Sequence, residues 1–475
     1  MADITTKFTN HRGPRGGLLG VLVTLLGCAT VPPSAVSRAN QIAYFVAAHE
    51  GGEVMDVEAC ATGPVVLRPW STPWERIEVL AGARVGDTLR GDAQGCVRYR
   101  ATLVANRQVL AGPEALLSAQ SEWLMRPVAQ VTQAELHFAL SPEQQVATAW
   151  PALPEGAEAP VTRVGQDPPG THAAHFLLPP LALALPSDVL LGRFGLTTRQ
   201  VGSTVLRVAR VAGPLVHGEA ELSDHLASAV AMVASVGGAF PAERVLAIVW
   251  PAPSDQPVQF GLTKRGGGAS ILLFFGDRAP AGSLTNDWVT VHELAHLLHP
   301  RVPAADRWLS EGIATYYQEV LRARAGWKTP EQAWARIAEG FAVGERSGTG
   351  RSLTDEASAM HETAAYTRVY WGGTAFVLAA DMALRRRGSS LDEAVARCLR
   401  EVEHSSSPVT ARALVAAFDA ELVLLADEYA ARSSWPATGA LLADLGVVYE
   451  DGEVRLVDAP DSALRDAIMR PPTDR

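Results

Sequence analysis

Trp288-Val289-Thr290-Val291-His292-Glu293-Leu294-Ala295-His296-Leu297-Leu298-His299 is an apolar stretch interrupted by three histidines and a glutamate. Its hydrophobic spacing predicts a buried helix. His292 and His296 are four residues apart, so they stack on one face about a turn from each other. Two imidazoles placed that way can share one tetrahedral metal ion. Glu293 follows the first histidine and points beside that ion. From there it can take a proton from water instead of ligating. Three polar side chains on a buried helix need a compensating partner.

The next residues supply one. Pro300 and Pro303 end the helix, and Asp306 is positioned to cap another. Trp308-Leu309-Ser310-Glu311-Gly312-Ile313-Ala314-Thr315-Tyr316-Tyr317 again has helical spacing. If this second helix folds back across the short loop, Glu311 approaches the two imidazoles. Two His and one Glu leave a coordination position for water or a substrate carbonyl, as a catalytic Zn²⁺ requires. His299 is on the same face but about 10 Å along the axis from His292. It reads as an end-of-helix residue behind the ligands, with replacement of Glu311 the lesser alternative.

His-Glu-x-x-His followed by Trp-Leu-x-Glu-Gly resembles the gluzincin zinc metallopeptidases, and within them the glycyl aminopeptidase-like family. Tyr316-Tyr317, Arg324-Ala325-Gly326, Tyr370-Trp371-Gly372-Gly373 and Ser390-Leu391-Asp392 continue the likeness, which spans roughly residues 205–440. The resemblance implies a thermolysin-like catalytic domain, with His292, His296 and Glu311 as zinc ligands and Glu293 as general base and later proton donor. It also implies that Tyr370 stabilises the developing oxyanion; Tyr366, four residues earlier on the same face, competes for that role. Three departures stand out. The loop between His296 and Glu311 is short. The Gly-x-Met-Glu-Asn segment that holds a substrate amino terminus in aminopeptidase N-like relatives is replaced by Gly261-Leu262-Thr263-Lys264-Arg265-Gly266-Gly267-Gly268-Ala269-Ser270. That stretch reads either as an edge strand open to a substrate backbone or as a surface hairpin. Many glycyl-family members continue into a PDZ domain, and none is expected here.

Composition agrees with a folded enzyme. Of 475 residues, 48% are hydrophobic and 19% charged, which excludes a disordered or fibrous chain. The net charge of −10 argues against a nucleic-acid partner. Lys7, Lys264 and Lys328 are the sole lysines among 41 basic residues, so single arginines are not read as functional. Four cysteines exclude a disulfide-dense miniprotein. Cys60 and Cys96 both fall in β-rich sequence, and the sequence leaves their pairing open; Cys398 reads as a buried thiol. His49-Glu50 reads as a solvated turn, and Arg385-Arg386-Arg387 as a solvated helix end.

The first residues read as an export signal. Lys7, Arg12 and Arg15 precede the apolar run Leu18 to Leu26, too short to span a bilayer. Leu25-Leu26-Gly27-Cys28 resembles the lipobox of bacterial lipoproteins, which implies lipidation of Cys28 and a membrane anchor in the cell envelope. Ala29 favours the outer membrane. The expected organisation is α+β: a signal peptide over 1–27, a tether over 28–40, a β-rich domain with meander character over 41–203, the thermolysin-like catalytic domain over 204–345, and a mainly helical domain over 346–475. Thr329-Pro330-Glu331-Gln332 fits a capping box, and a hairpin near 447–457 is expected to close the chain. The expected function is zinc-dependent hydrolysis of peptide bonds in peptide or protein substrates, internal or amino-terminal. The alternative is a non-catalytic lipoprotein that binds peptides or envelope components in the same cleft. Oligomeric state is not legible.

Overall fold

Leu246-Ala247-Ile248-Val249 has no polar side, so it suits a strand covered on both faces. In the computed structural model, which describes residues 40–471 except 50, 71, 92–94, 107, 155 and 402–405, that strand is the centre of a five-stranded sheet. Its strands are β1 (Phe194–Val201), β2 (Thr204–Val211), β3 (Arg244–Ala252), β4 (Val258–Lys264) and β5 (Ala269–Gly276), in the order β1-β2-β3-β5-β4. β3 runs parallel to β2 and β5. Helix α1 (Glu219–Gly237) makes the crossover from β2 to β3. β4 pairs antiparallel with β5 and forms one edge. Alternation along the strands sorts the two faces. Val208, Val245, Ala247, Val249 and Ile271 pack on the helices. Ala209, Leu246, Ile248 and Leu272 pack against Leu117, Ala147 and Leu190 of the front strands.

Among the described residues, the front half is built of strands, loops and three short 3₁₀ helices. Its largest sheet places Gln41–Ala48 between Val54–Ala61, antiparallel, and Gln133–Leu140, parallel. This corrects the expected meander. Between the two parallel strands the chain also supplies strands to two smaller sheets before returning, so these two sheet neighbours are far apart in sequence. Tyr44, Tyr99, Trp123, Phe138 and Trp150 fill this half's own core. Cys60 and Cys96 stand opposite each other on paired strands and are joined by a disulfide.

After β5 the chain is helical: α2 (Val289–Ala295), α3 (Arg307–Arg324), α4 (Pro330–Arg346), α5 (Leu353–Thr363), α6 (Tyr366–Arg386) and α7 (Leu391–Glu401). The capping box forms at α4, with Thr329 accepting from the Gln332 amide and Gln332 from that of Thr329. Such a cap contributes about 1 kcal/mol. α3 and α6 touch backbone to backbone. A Cβ on Gly373 would lie 2.0 Å from the Trp308 carbonyl, and one on Gly312 would lie 2.4 Å from Gly373. Only glycine permits that approach, and it sets Glu311, next to Gly312, against the start of α6 where Tyr370 stands.

Four further expectations are corrected. The histidine stretch is α-helical only to Ala295 and tightens to a 3₁₀ turn over His296–Leu298. Asp306 does not cap α3; its carboxylate accepts from the Ala411 amide instead. A helix, Ser462–Met469, follows the hairpin of Val447–Glu450 and Glu453–Leu456. Arg385, Arg386 and Arg387 are not merely solvated: they pair with Asp381, with Asp444 and Asp461, and with Asp419 and Glu421. The expected signal segment, Cys28 and nearly all of the tether lie outside the described residues, as does Glu50. His49 pairs with Asp56. Cys398 is a buried free thiol. Among the described residues, no helix is long and apolar enough to cross a membrane.

Candidate metal centre

The metal helix is held from both ends. At its start, Asp287 accepts from the amides of Val289 and Thr290, and its second oxygen is bonded to His225 of α1. A carboxylate there satisfies orphan N–H groups and favours the helix dipole. At its end, Arg265, just beyond β4, donates to the carbonyls of His296 and His299. The Asp287 cap is local but its His225 partner, like Arg265, reaches across the fold, where spacing carries no signal.

His292, His296 and Glu311 converge. Their donor atoms all lie within 4.8 Å of one another. Glu311 Oε2 is 3.2 Å from His292 Nε2 and 3.6 Å from His296 Nε2. Donors on a tetrahedral ion with bonds of 2.0–2.2 Å are about 3.3–3.6 Å apart, so both distances are close to those of donors sharing one ion. The hydrogen bonds behind the rings fix which nitrogen is free. His292 Nδ1 donates to the Gln318 side-chain oxygen at 2.8 Å, which turns its Nε2 lone pair toward Glu311. A longer chain fixes His296. His299 Nδ1 donates to the Pro300 carbonyl at 2.7 Å, so its Nε2 accepts from the Ser310 hydroxyl. The Ser310 oxygen then accepts from His296 Nδ1 at 3.1 Å, leaving His296 Nε2 unprotonated. Such outer partners orient ligands and set their tautomers. His299 therefore stands behind the ligands and does not take the place of Glu311. Burial, then the neighbouring histidines and Arg265, hold His296 well below the usual imidazole range; burial and Arg265 push His299 down to about 3. Both stay neutral near neutrality, as a ligand and its support must.

Glu293 faces the edge strand. The Thr263 hydroxyl lies 2.8 Å from both Glu293 Oε2 and the Glu293 carbonyl. Gly261 of the same strand leaves room for the side chain, since a Cβ there would sit 2.5 Å from Glu293 Cγ. Gly261–Lys264 is thus an edge strand against the metal helix, and residues 265–268 turn it into β5, so the stretch is both edge strand and hairpin, with a turn that is packed instead of lying at the surface. Burial raises Glu293 above the ordinary carboxylate range. Tyr370 stacks flat on His292, with centroids 5.6 Å apart. Burial, then the Glu311 and Glu293 carboxylates, hold its phenol far above the usual range, so it remains a donor. Tyr366 contacts His361 instead, at 3.1 Å. Gln318 and Ser310 carried no functional signal in spacing alone; Gly261 and Thr263 stood in the stretch read as a possible edge strand, with no role of their own.

Comparison with known proteins agrees on the fold. No protein-family model matches the sequence, and no curated protein matches it. Among solved structures, an aminopeptidase N family protein from Idiomarina loihiensis superposes with a TM-score of 0.65 at 12% identity, covering 86% of this chain and 78% of that one. The M1 zinc metallopeptidase from Deinococcus radiodurans superposes at 0.54 with 17% identity, covering 85% and 97%. A mutant of that protein bound to a Tyr-Ser-Ala substrate gives the same score and identity over 86% and 97%. The chain has the fold of the M1 zinc metallopeptidases, and at its centre lies a His/His/Glu cluster suited to a metal ion.

Proposed function

We propose that this protein is a zinc-dependent peptidase of the gluzincin type. The observation that carries it is the convergence of His292 Nε2, His296 Nε2 and the Glu311 carboxylate, with Glu293 beside them. Bound there, zinc supplies a Lewis acid that acidifies water and polarises a carbonyl. Thr263 occupies Glu293 Oε2, which leaves Oε1 to take the proton of the attacking water and pass it to the departing nitrogen. The Tyr370 hydroxyl donates to the carbonyl oxygen as that oxygen gains charge. Glu293 must be ionised to accept the proton. Its raised pKa therefore places the acid limb of the activity profile above the usual carboxylate value of 4.5. The tripeptide bound by the Deinococcus protein supports a peptide substrate. The residues Arg324-Ala325-Gly326 and Tyr370-Trp371-Gly372-Gly373 support the finer glycyl aminopeptidase-like reading. The positive start, apolar run and Gly27-Cys28 support lipid anchoring to the bacterial envelope, at the outer membrane.

The test is zinc analysis together with hydrolysis of a broad peptide library. Wild type is expected to hold one zinc and cleave peptides. Glu293→Gln is expected to keep the zinc and lose about 10²–10⁴ in kcat. Zinc without turnover in wild type would instead identify a binding protein. Cys28→Ala is expected to release the protein from membranes in a fractionation assay; a variant still sedimenting with them overturns the anchor.

A further inference from the structure

The metal centre opens into a cleft of about 1120 Å³ whose charge is one-sided. Among the described residues, the only carboxylates lining it are Glu293 and Glu311. Four cations line it: Lys264, Arg265, Arg301 and Arg307. Lys264 is neutralised by the buried Asp188. Arg265 is spent on the carbonyls at the end of the metal helix. Arg301 donates to the Ser406 carbonyl. Arg307 has no carboxylate partner among the described residues, in a protein whose net charge is −10 and whose other helical arginines mostly find acids.

Arg307 is placed for a purpose. It stands four residues before Glu311 on α3, on the same face and about 6 Å along the axis. Its guanidinium contacts His361 Nε2 at 3.0 Å. Guanidinium has no acceptor, so Nε2 accepts, and neutral His361 carries its hydrogen on Nδ1. That hydrogen points at the Tyr366 oxygen 3.1 Å away. The Tyr366 phenol then keeps its own proton for another acceptor. Tyr366 is 40% exposed and lines the cleft. Among the described residues, the wall therefore presents a cation without a carboxylate partner and a hydroxyl donor without an acceptor. A carboxylate satisfies both, through charge-assisted bonds.

We propose that Arg307 and Tyr366 bind a carboxylate of the substrate, so that the cleft selects peptides with an acidic group close to the scissile bond. This rests on the peptidase reading above for its reaction, but the binding step is testable without turnover. The carboxylate comes either from an Asp or Glu side chain or from a free carboxyl terminus.

The experiment uses matched peptides differing as Asp/Asn or Glu/Gln, each with a free or amidated carboxyl end. Hydrolysis by wild type and calorimetric binding to Glu293→Gln are measured with each. The acidic member of a pair is expected to be favoured about tenfold or more in kcat/KM. Arg307→Gln is expected to bring that ratio within about twofold, Arg307→Lys to retain part of it, and Tyr366→Phe to lower it about threefold. Loss of preference on side-chain amidation identifies the side chain as the source; loss on end amidation identifies the terminus. Equal cleavage of acid and amide peptides, or a ratio unmoved in a folded Arg307→Gln, overturns the proposal while the peptidase reading stands. Acid-selective binding without turnover of any peptide does the reverse. A merely structural role for Arg307 changes stability and leaves the acid-to-amide ratio alone.

Discussion

Among the described residues, two largely buried groups of two histidines and one glutamate differ in where their lone pairs go. In the front sheet, His137 Nδ1 meets His175 Nδ1 at 2.6 Å, and His137 Nε2 meets Glu135 at 3.0 Å. The other Glu135 oxygen accepts from Gln133. The group consumes itself and cross-links two strands. In the helical half, Gln318 and Ser310 take the rear nitrogens of His292 and His296, and both front nitrogens face one carboxylate oxygen. Residue type is the same; what makes a metal centre is a support that fixes the back of each ring and leaves the front unspent. Glu58 with Cys60 and Cys96 makes the same point. Its thiols are a disulfide, and Glu58 accepts from the amides of Val164 and Gly165.

The sharpest way to break this contrast is to swap the carboxylates. Glu311→Gln is expected to lose the zinc and with it all measurable hydrolysis. Glu135→Gln is expected to leave zinc content and activity within about twofold of wild type and to cost stability, about 1–3 kcal/mol for a disturbed buried hydrogen bond. Metal analysis and thermal melts read both; a zinc loss in the Glu135 variant sinks the distinction. A smaller effect tests the edge strand. Gly261→Ala pushes a methyl into Glu293. It is expected to lower kcat about a hundredfold with zinc retained, since displacing a catalytic group by about 1 Å has that cost. Unchanged kcat would show that Glu293 has freedom the packing denies it.

The smallest effect is on pH. Burial is the main cause holding His137 below the ordinary imidazole value of 6.5, so the folded form resists the proton that the unfolded chain accepts. Its contribution to stability is full above pH 6.5 and is lost as pH falls below that. Thermal melts from pH 7.5 to 5.5 are expected to fall more steeply for wild type than for His137→Gln. Parallel slopes would remove His137 as the source.

Much of the site was legible because its signals are local. His292, Glu293 and His296 share one helix, and Glu311 follows across a short loop, so periodicity and spacing locate them. The centre of the five-stranded sheet is legible at Leu246 to Val249, where an unbroken apolar run marks a strand covered on both faces. The meander was misread because parallel pairing of Gln41–Ala48 with Gln133–Leu140 leaves no turn signal to read. Arg385 to Arg387 were misread because their acids lie mostly on other elements.

The sequence by itself determined which donors exist, their intervals along two helices, and a chain rich enough in apolar residues to bury them. Only the tertiary structure decided which atom of each donor is free. Apart from the adjacent Pro300 carbonyl, that choice rests on Gln318, Ser310, Thr263 and Gly261, brought to the metal helix by packing over distances at which spacing carries no information.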